Sequence, residues 1–243
     1  MVFRLFKKKV AASVLPLKVD VHSHLLPGID DGVDTWEESL YILEELIKIG
    51  YNKVITTPHV MSDHYPNTPE IILGKLHELK HLIRQHGLPV EVEAAAEYYL
   101  DETFLTNLEN NGKFLTFGDN YLLFETSFIN KPTFLIEAVF KISAHGYKPV
   151  LAHPERYIYI QENMKILEDL LERDVLMQLN INSLTGYYSK AARKLAEKLI
   201  DNNYISFLGS DCHNERHLAV IREAYSMKYF KKATQLDLRN YTL

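Results

Sequence analysis

The chain has 243 residues, 47% hydrophobic and 24% charged, which is enough apolar material to bury the core of one soluble domain and too much for disorder. Its formal charge of −5, with no long basic tract, gives no general attraction to nucleic acid. The single cysteine, Cys212, excludes an intrachain disulfide and with it a secreted disulfide scaffold, so a reducing cytoplasm is the expected compartment.

Residues 1–17 mix cations with bulky apolar groups (Phe3, Leu5, Phe6, Lys7, Lys8, Lys9), but no apolar run follows that could serve as a secretory core. Nor does any stretch reach the ~20 apolar residues that span a bilayer. The segment is expected as a flexible terminus ahead of a single domain at 18–243. Peripheral contact with the inner face of an anionic membrane, or with a partner, is the alternative use of such a composition.

The first strand is expected at 18–23 and runs into Asp20-Val21-His22-Ser23-His24, two imidazoles one residue apart and therefore on one side of an extended chain. Asp30-Asp31-Gly32 then forms a turn. A helix over 35–49 follows, with Asp34 and Glu37 resembling a capping box, Trp36, Leu40, Leu43 and Ile47 on one stripe, and Gly50 as its stop. The second strand, 53–57, delivers His59 through Thr57-Pro58. A helix over 69–86 leads to a strand at 90–97 that ends on Glu97, and a short helix over 101–110 leads to a strand at 121–126 carrying Glu125.

Beyond a helix at 132–145, the strand at 149–152 delivers His153 in Ala152-His153-Pro154-Glu155-Arg156. A helix over 163–173, a strand at 175–181 and a helix over 189–202 come next. The last strand, 205–210, delivers Ser210-Asp211-Cys212-His213 ahead of a helix over 215–230. Several of these strands are continuous apolar runs, as expected for strands covered on both faces.

Seven strands alternating with helices predict an α/β fold with mainly parallel pairing. Metal-capable residues follow six of the seven, which favours a closed or distorted barrel over an open sheet with one switch point. His22, His24, Asp31, His59, Glu97, Glu125, His153, Asp211 and His213 would then converge on a multinuclear metal site. One H-x-H proves little in a chain with eleven histidines; recurrence at six strand ends is what carries weight. A mixed imidazole and carboxylate shell suits Zn²⁺, Mn²⁺ or Fe²⁺, with Glu97 able to bridge ions.

Arg156 is expected at the rim of that pocket, where its planar fork would suit a phosphate, and Arg216 is a second candidate. His77, His81 and His86 read as surface groups on a charged helix, and His64, His145 and His217 stay undecided, a place outside the site being favoured because none follows a strand. Cysteine phosphatase chemistry is not encoded, since Leu218 stands where a Cys-x5-Arg loop would need its arginine. No G-x-x-x-x-G-K-[ST] loop is present either.

On these motifs the chain resembles the PHP superfamily of metal-dependent phosphoesterases. Within it the match is to the bacterial protein-tyrosine phosphatases of capsule and exopolysaccharide systems, the CpsB/CapC/YwqE group. The stretch from Asp20 through Gly32 is the opening motif; Thr57-Pro58-His59, Ala152 to Arg156 and Ser210 to Asn214 match later ones, over about residues 18–230. The resemblance implies a distorted (β/α)7 barrel and two or three divalent ions, Mn²⁺ in most members, with Fe or Zn as alternatives.

Carried over, His22, His24, Glu97 and Asp211 would hold one ion. Glu97, Glu125 and His153 would hold a second, and Asp31, His59 and His213 a third. The implied partner is a phosphotyrosyl protein, a bacterial tyrosine kinase of polysaccharide export. The competing expectations are a small-molecule phosphatase such as one for histidinol phosphate, a noncatalytic metal-stabilised PHP module, and a carbon–nitrogen hydrolase on a related barrel.

Overall fold

The structure, a computed structural model, describes residues 17–243, so the basic and apolar segment at 1–16 lies outside the described residues. Leu17 is already buried in the core. The strands are β1 (Val19–Asp20), β2 (Lys53–Thr56), β3 (His59–Val60), β4 (Glu91–Ala94), β5 (Glu97–Tyr99), β6 (Tyr121–Glu125), β7 (Lys148–Ala152), β8 (Leu176–Asn180) and β9 (Phe207–Gly209). All pairings between them are parallel, in the orders β1-β2-β4 and β3-β5-β6-β7-β8-β9.

Among the described residues nine strands realise the seven expected runs, because two runs are interrupted. Pro58 has no N–H to donate, and the chain kinks between β2 and β3; its neighbour kinks at Ala95-Ala96 between β4 and β5. The ladder nevertheless continues across both gaps, through Ala95 N–H to Thr56 O (2.9 Å) and Glu97 N–H to Pro58 O (3.1 Å). First and last strands also join: His24 N–H donates to Cys212 O (2.9 Å) and Asp211 N–H to His22 O (2.8 Å), around a parallel bridge between Ser23 and Cys212. A single α/β domain with a closed, distorted parallel barrel results, as expected.

The helices are α1 (Trp36–Ile49), α2 (Pro69–His86), α3 (Glu102–Glu109), α4 (Leu135–Ala144), α5 (Ile158–Glu162), α6 (Lys165–Leu171), α7 (Lys190–Asp201), α8 (Glu215–Ser226) and α9 (Lys228–Ala233). The cap of α1 sits one residue later than expected: Thr35 accepts from Glu38 N–H, while Glu38 reaches back to Asp34 N–H. The helix expected at 132–145 begins only at Leu135, and α5 precedes the one expected at 163–173. The run expected at 215–230 breaks at Met227, whose backbone is extended (φ −77°, ψ 149°) although the apolar spacing continues from Tyr225 to Phe230.

Strand alternation sorts the buried residues into two sets. Val54, Leu122, Leu151, Met177 and Leu208 face the helices in the large outer core. Val21, Ile55, Ala95, Leu123, Val150 and Phe207 form a second cluster inside the barrel. The parity that turns Leu123 inward also turns Glu125 inward, one step nearer the carboxyl end. Glu97 stands in the same relation to Ala95, and Asn180 to Gln178. The apolar interior is thus the floor beneath a polar cup.

Candidate metal centre

The cup gathers all nine expected residues. Their donor atoms fall into overlapping groups within 4.8 Å of one another: His24 with Asp31, His59 and His213; His22 with His24 and Asp211; His22 with Glu97 and His153; and His59 with Glu97 and Glu125. Glu97 is central. Its Oε2 lies 3.2 Å from both His22 Nε2 and His59 Nδ1, and its Oε1 lies 2.8 Å from His153 Nε2. The grouping differs in detail from the expected partition, since His24 also reaches the Asp31 set and His59 the Glu125 set.

The tautomers give a test of whether cations fit here. Asp30 can only accept, so His24 donates Nδ1–H to Asp30 Oδ2 (2.7 Å); His22 likewise donates Nδ1–H to Gln178 Oε1 (2.7 Å). Each neutral ring then turns a bare Nε2 lone pair into the cup. These two nitrogens lie 3.2 Å apart and 3.4 Å from Asp211 Oδ1. His153 Nδ1 is buried with no hydrogen-bond partner, and His59 Nδ1 faces Glu125 Oε1 (3.0 Å) and Glu97 Oε2 (3.2 Å) without the geometry of a hydrogen bond. Acceptors pointed at acceptors in a buried site require positive charge between them, and divalent ions supply it.

Without ions, protons take that place. Burial disfavours charge on His24, but Asp30, Asp211 and Glu97 outweigh it and hold the imidazole well above its usual value. Burial likewise opposes charge on His59, yet Glu97, Asp31 and Glu125 push it up to about 10. Burial would raise the Glu97 and Asp211 carboxyls, but the surrounding imidazoles, with His22 foremost, hold both well below the carboxylate range. His24, His59, Glu97 and Asp211 therefore behave as one interlocked charge system.

Backbone geometry aims two of these residues. His153 (φ 34°) and Asp211 (φ 49°) occupy the left-handed region just past β7 and β9, a conformation that costs ~1–3 kcal/mol and persists where surrounding contacts impose it. At the first, the turn Pro154–Arg156 is anchored through buried Glu155. Its Oε1 accepts from Asn180 N–H (3.1 Å) and Ser183 Oγ–H (2.7 Å), and burial raises its carboxyl to about 7. That anchor presents Arg156.

The Arg156 guanidinium donates from Nη1 to Asp211 Oδ2 (2.9 Å) and lies between two rings, 4.1 Å from the Tyr188 centroid and 4.5 Å from that of Phe128. It lines a cavity of about 800 Å³ over the cup, walled further by Tyr65, Tyr99 and Tyr187. Arg216 does not line this cavity; it borders a shallow groove with Tyr41 and Arg222. His217, one position later, is buried and does line the cavity, with Nδ1 3.0 Å from Asp211 O, and His64 lines it as well. His145 is exposed at the end of α4, as are His77, His81 and His86 on α2.

Several supporting residues went unrecognised in the sequence. Asp30 reads as a turn residue, yet it orients His24 and accepts from His59 N–H (3.1 Å). Gln178 and Asn180 occupy the one strand end without a ligand type; Asn180 Nδ2–H donates to Asp211 Oδ2 (2.7 Å) and to Tyr188 Oη (2.9 Å). Two amides spaced by one residue in an otherwise apolar run were the available signal. Cys212 is buried, with its thiol pushed far above the usual range by burial and then by Asp20, so it offers no thiolate.

Known proteins share this architecture. The chain is 29% identical to the tyrosine-protein phosphatase YwqE of Bacillus subtilis over 197 residues, 81% of this chain and 77% of the relative. It is 26% identical to the tyrosine-protein phosphatase CpsB of Streptococcus agalactiae over 239 residues, 91% of this chain and 96% of the relative. A solved structure from work on YwqE of Bacillus subtilis and CpsB of Streptococcus pneumoniae, described as metal-dependent tyrosine phosphatases, aligns with TM-score 0.77 and 26% identity. That alignment covers 93% of this chain and 96% of the other. The family model for capsular polysaccharide synthesis, CpsB/CapC, matches residues 18–236, from the first strand to beyond the last ligand, and the chain belongs to that family.

Proposed function

We propose that this protein is a metal-dependent protein-tyrosine phosphatase whose substrate is a phosphotyrosyl protein of polysaccharide synthesis or export, a bacterial tyrosine kinase by preference. The observation that carries the reading is the convergence of nine imidazole and carboxylate donors beneath a cavity walled by tyrosines and by Arg156. Nine donors exceed the ~4 ligands of a single Zn²⁺ site. Two or three divalent ions fit them better, Mn²⁺ in our reading, with Fe or Zn as alternatives. His22, His24, Asp31, His59, Glu97, Glu125, His153, Asp211 and His213 would hold them.

When bound, such ions supply Lewis-acid stabilisation of phosphoryl charge and lower the pKa of water toward neutrality. The chain's own residues do the rest. Asp30 and Gln178 fix the His24 and His22 tautomers so that both Nε2 atoms face inward. Arg156, flattened between Phe128 and Tyr188, offers its free N–H groups to the phosphoryl oxygens as charge develops on them. The aromatic walls exclude water and lie along the substrate ring. A tyrosinate leaves with a free pKa of roughly 10, so strong acid assistance is unnecessary, and no residue here requires a covalent phosphoenzyme.

The phosphatase domain is taken as 18–243, in the cytoplasm. A role for residues 1–17 at the inner membrane face belongs to the same proposal; among the described residues no helix is long and apolar enough to cross a membrane. The test is a panel of phosphotyrosyl peptide, matched phosphoseryl peptide and histidinol phosphate, on protein reconstituted with Mn²⁺. kcat/KM should favour phosphotyrosine by at least about tenfold, or ~1.4 kcal/mol in barrier. Faster turnover of histidinol phosphate would replace this reading with the small-molecule one.

A further inference from the structure

We propose that the cleft between the turn at 61–65 and α3 is a side-chain subsite for the polypeptide that carries the phosphotyrosine, built for an uncharged aliphatic or aromatic residue flanking it. The proposal rests on the phosphatase reading and extends it to substrate selection. The cleft has a volume of about 340 Å³ and adjoins the catalytic cavity, with Met61 and Tyr99 in the wall of both. A phosphotyrosine seated at the metal centre fills the larger cavity. A group entering the cleft beside it would be tethered through the same chain.

The chemistry of the lining selects the occupant. Its floor is a rigid aromatic set: Tyr98 and Phe114 rings meet edge-on at 5.0 Å, and Phe104 and Phe114 at 5.1 Å. Tyr98 Oη is already engaged, accepting from Leu115 N–H at 2.7 Å, so the ring presents apolar surface. Among the described residues Asp101 is the only charged one in the lining. Both its oxygens are taken, Oδ1 by Phe104 N–H (2.7 Å) and Oδ2 by Ser62 N–H (3.2 Å) and Oγ–H (2.8 Å). With three donors already on that carboxylate its pull on a basic side chain is weakened, and an acidic one would meet its negative charge. An apolar side chain gains by leaving water.

The walls are also positioned for recognition. Met61 and Tyr65 exchange backbone hydrogen bonds, both 2.9 Å, so the turn is closed on itself. Its base is fixed to the metal cup, since Asn67 Nδ2–H donates to both Ile29 O and His59 O at 2.8 Å. A pre-formed cleft of this kind costs little ordering on binding. Asn107 and Thr103 stand on the exposed side of α3 and border the cleft without touching the metal cup.

The test compares Mn²⁺-loaded wild type with Asn107→Trp and Thr103→Trp, both exposed changes that fill the cleft. Substrates are a phosphotyrosyl peptide with leucine and phenylalanine flanks, the same peptide with glycine and serine flanks, and 4-nitrophenyl phosphate. Wild type should prefer the apolar peptide by about tenfold in kcat/KM. The tryptophan variants should lose that preference while 4-nitrophenyl phosphate turnover stays unchanged. Affinity for a nonhydrolysable phosphonate analogue of the apolar peptide should fall in parallel. Equal rates for the two wild-type peptides, or a preference that survives in both variants, would overturn the subsite. Binding of a capsular oligosaccharide that the tryptophans abolish, with no peptide preference, would also overturn it in favour of a glycan site. Absence of any aryl phosphate turnover by wild type would remove the phosphatase reading and the subsite together.

Discussion

Arg156 carries a tension that its neighbours resolve. A guanidinium beside Asp211 should collapse onto the carboxylate, yet the Phe128 and Tyr188 rings flank it, leaving one Nη on Asp211 and the group in the wall of the cavity. Arg156→Ala should lower kcat/KM by about 10² or more with metal content unchanged, because a charged donor aimed at the transition state is worth a few kcal/mol. Steady-state kinetics alongside metal analysis would check this, and an unchanged rate would make Arg156 structural. Cys212→Ser is the matching control. Its thiol is buried and protonated, so the serine variant should retain most activity while losing ~1 kcal/mol of stability.

At the scale of elements, the site depends on how tightly the closing strand approaches the first one. A Cβ on Gly209 of β9 would lie 2.7 Å from His22 Cβ and 2.6 Å from Gln178 Nε2, so glycine is required by close packing. Gly209→Ala should push His22 off its Gln178 contact. We expect a stability loss of ~1–3 kcal/mol, the usual range for overpacking, together with reduced metal content. Full metal loading with an unshifted melting point would mean that β9 can retreat without consequence.

Strand ends were the legible part of the sequence, because ligand types such as His59, His153 and Asp211 stand directly beyond apolar runs. What escaped notice obeys other rules. Gln178 and Asn180 are amides and carry no metal-ligand signal, although their inward parity follows from the same alternation. The kinks at Pro58 and Ala95-Ala96 depend on pairing between two distant strands, which no local window contains. Met227 leaves the helix within an unbroken apolar period, so spacing alone merged α8 with α9. Arg216 and His217 are adjacent on α8, and only the helix's rotation decides that His217 faces the cavity.

For the molecule as a whole, the barrel closes around four carboxylates and five imidazoles whose charges must be balanced for the fold to hold. Ions that bind only the folded state stabilise it by RT ln(1 + [L]/Kd), about 4 kcal/mol at a thousandfold excess over Kd. For a chain of this length each kcal/mol moves the melting point by ~2–4 °C, so chelation should lower Tm by roughly 8–16 °C. Protons substitute in part. His59, raised to about 10, stabilises the metal-free fold fully below its unfolded value near 6.5 and loses that contribution as pH climbs toward 10. The same imidazoles must shed their protons to ligate. The Tm gain on adding Mn²⁺ should therefore be larger at pH 8 than at pH 6, as scanning calorimetry can measure. Equal gains at the two pH values would show that the imidazoles are not ligands in the folded protein, and a chelated protein with unchanged Tm would show that the cup needs no cations to stay closed.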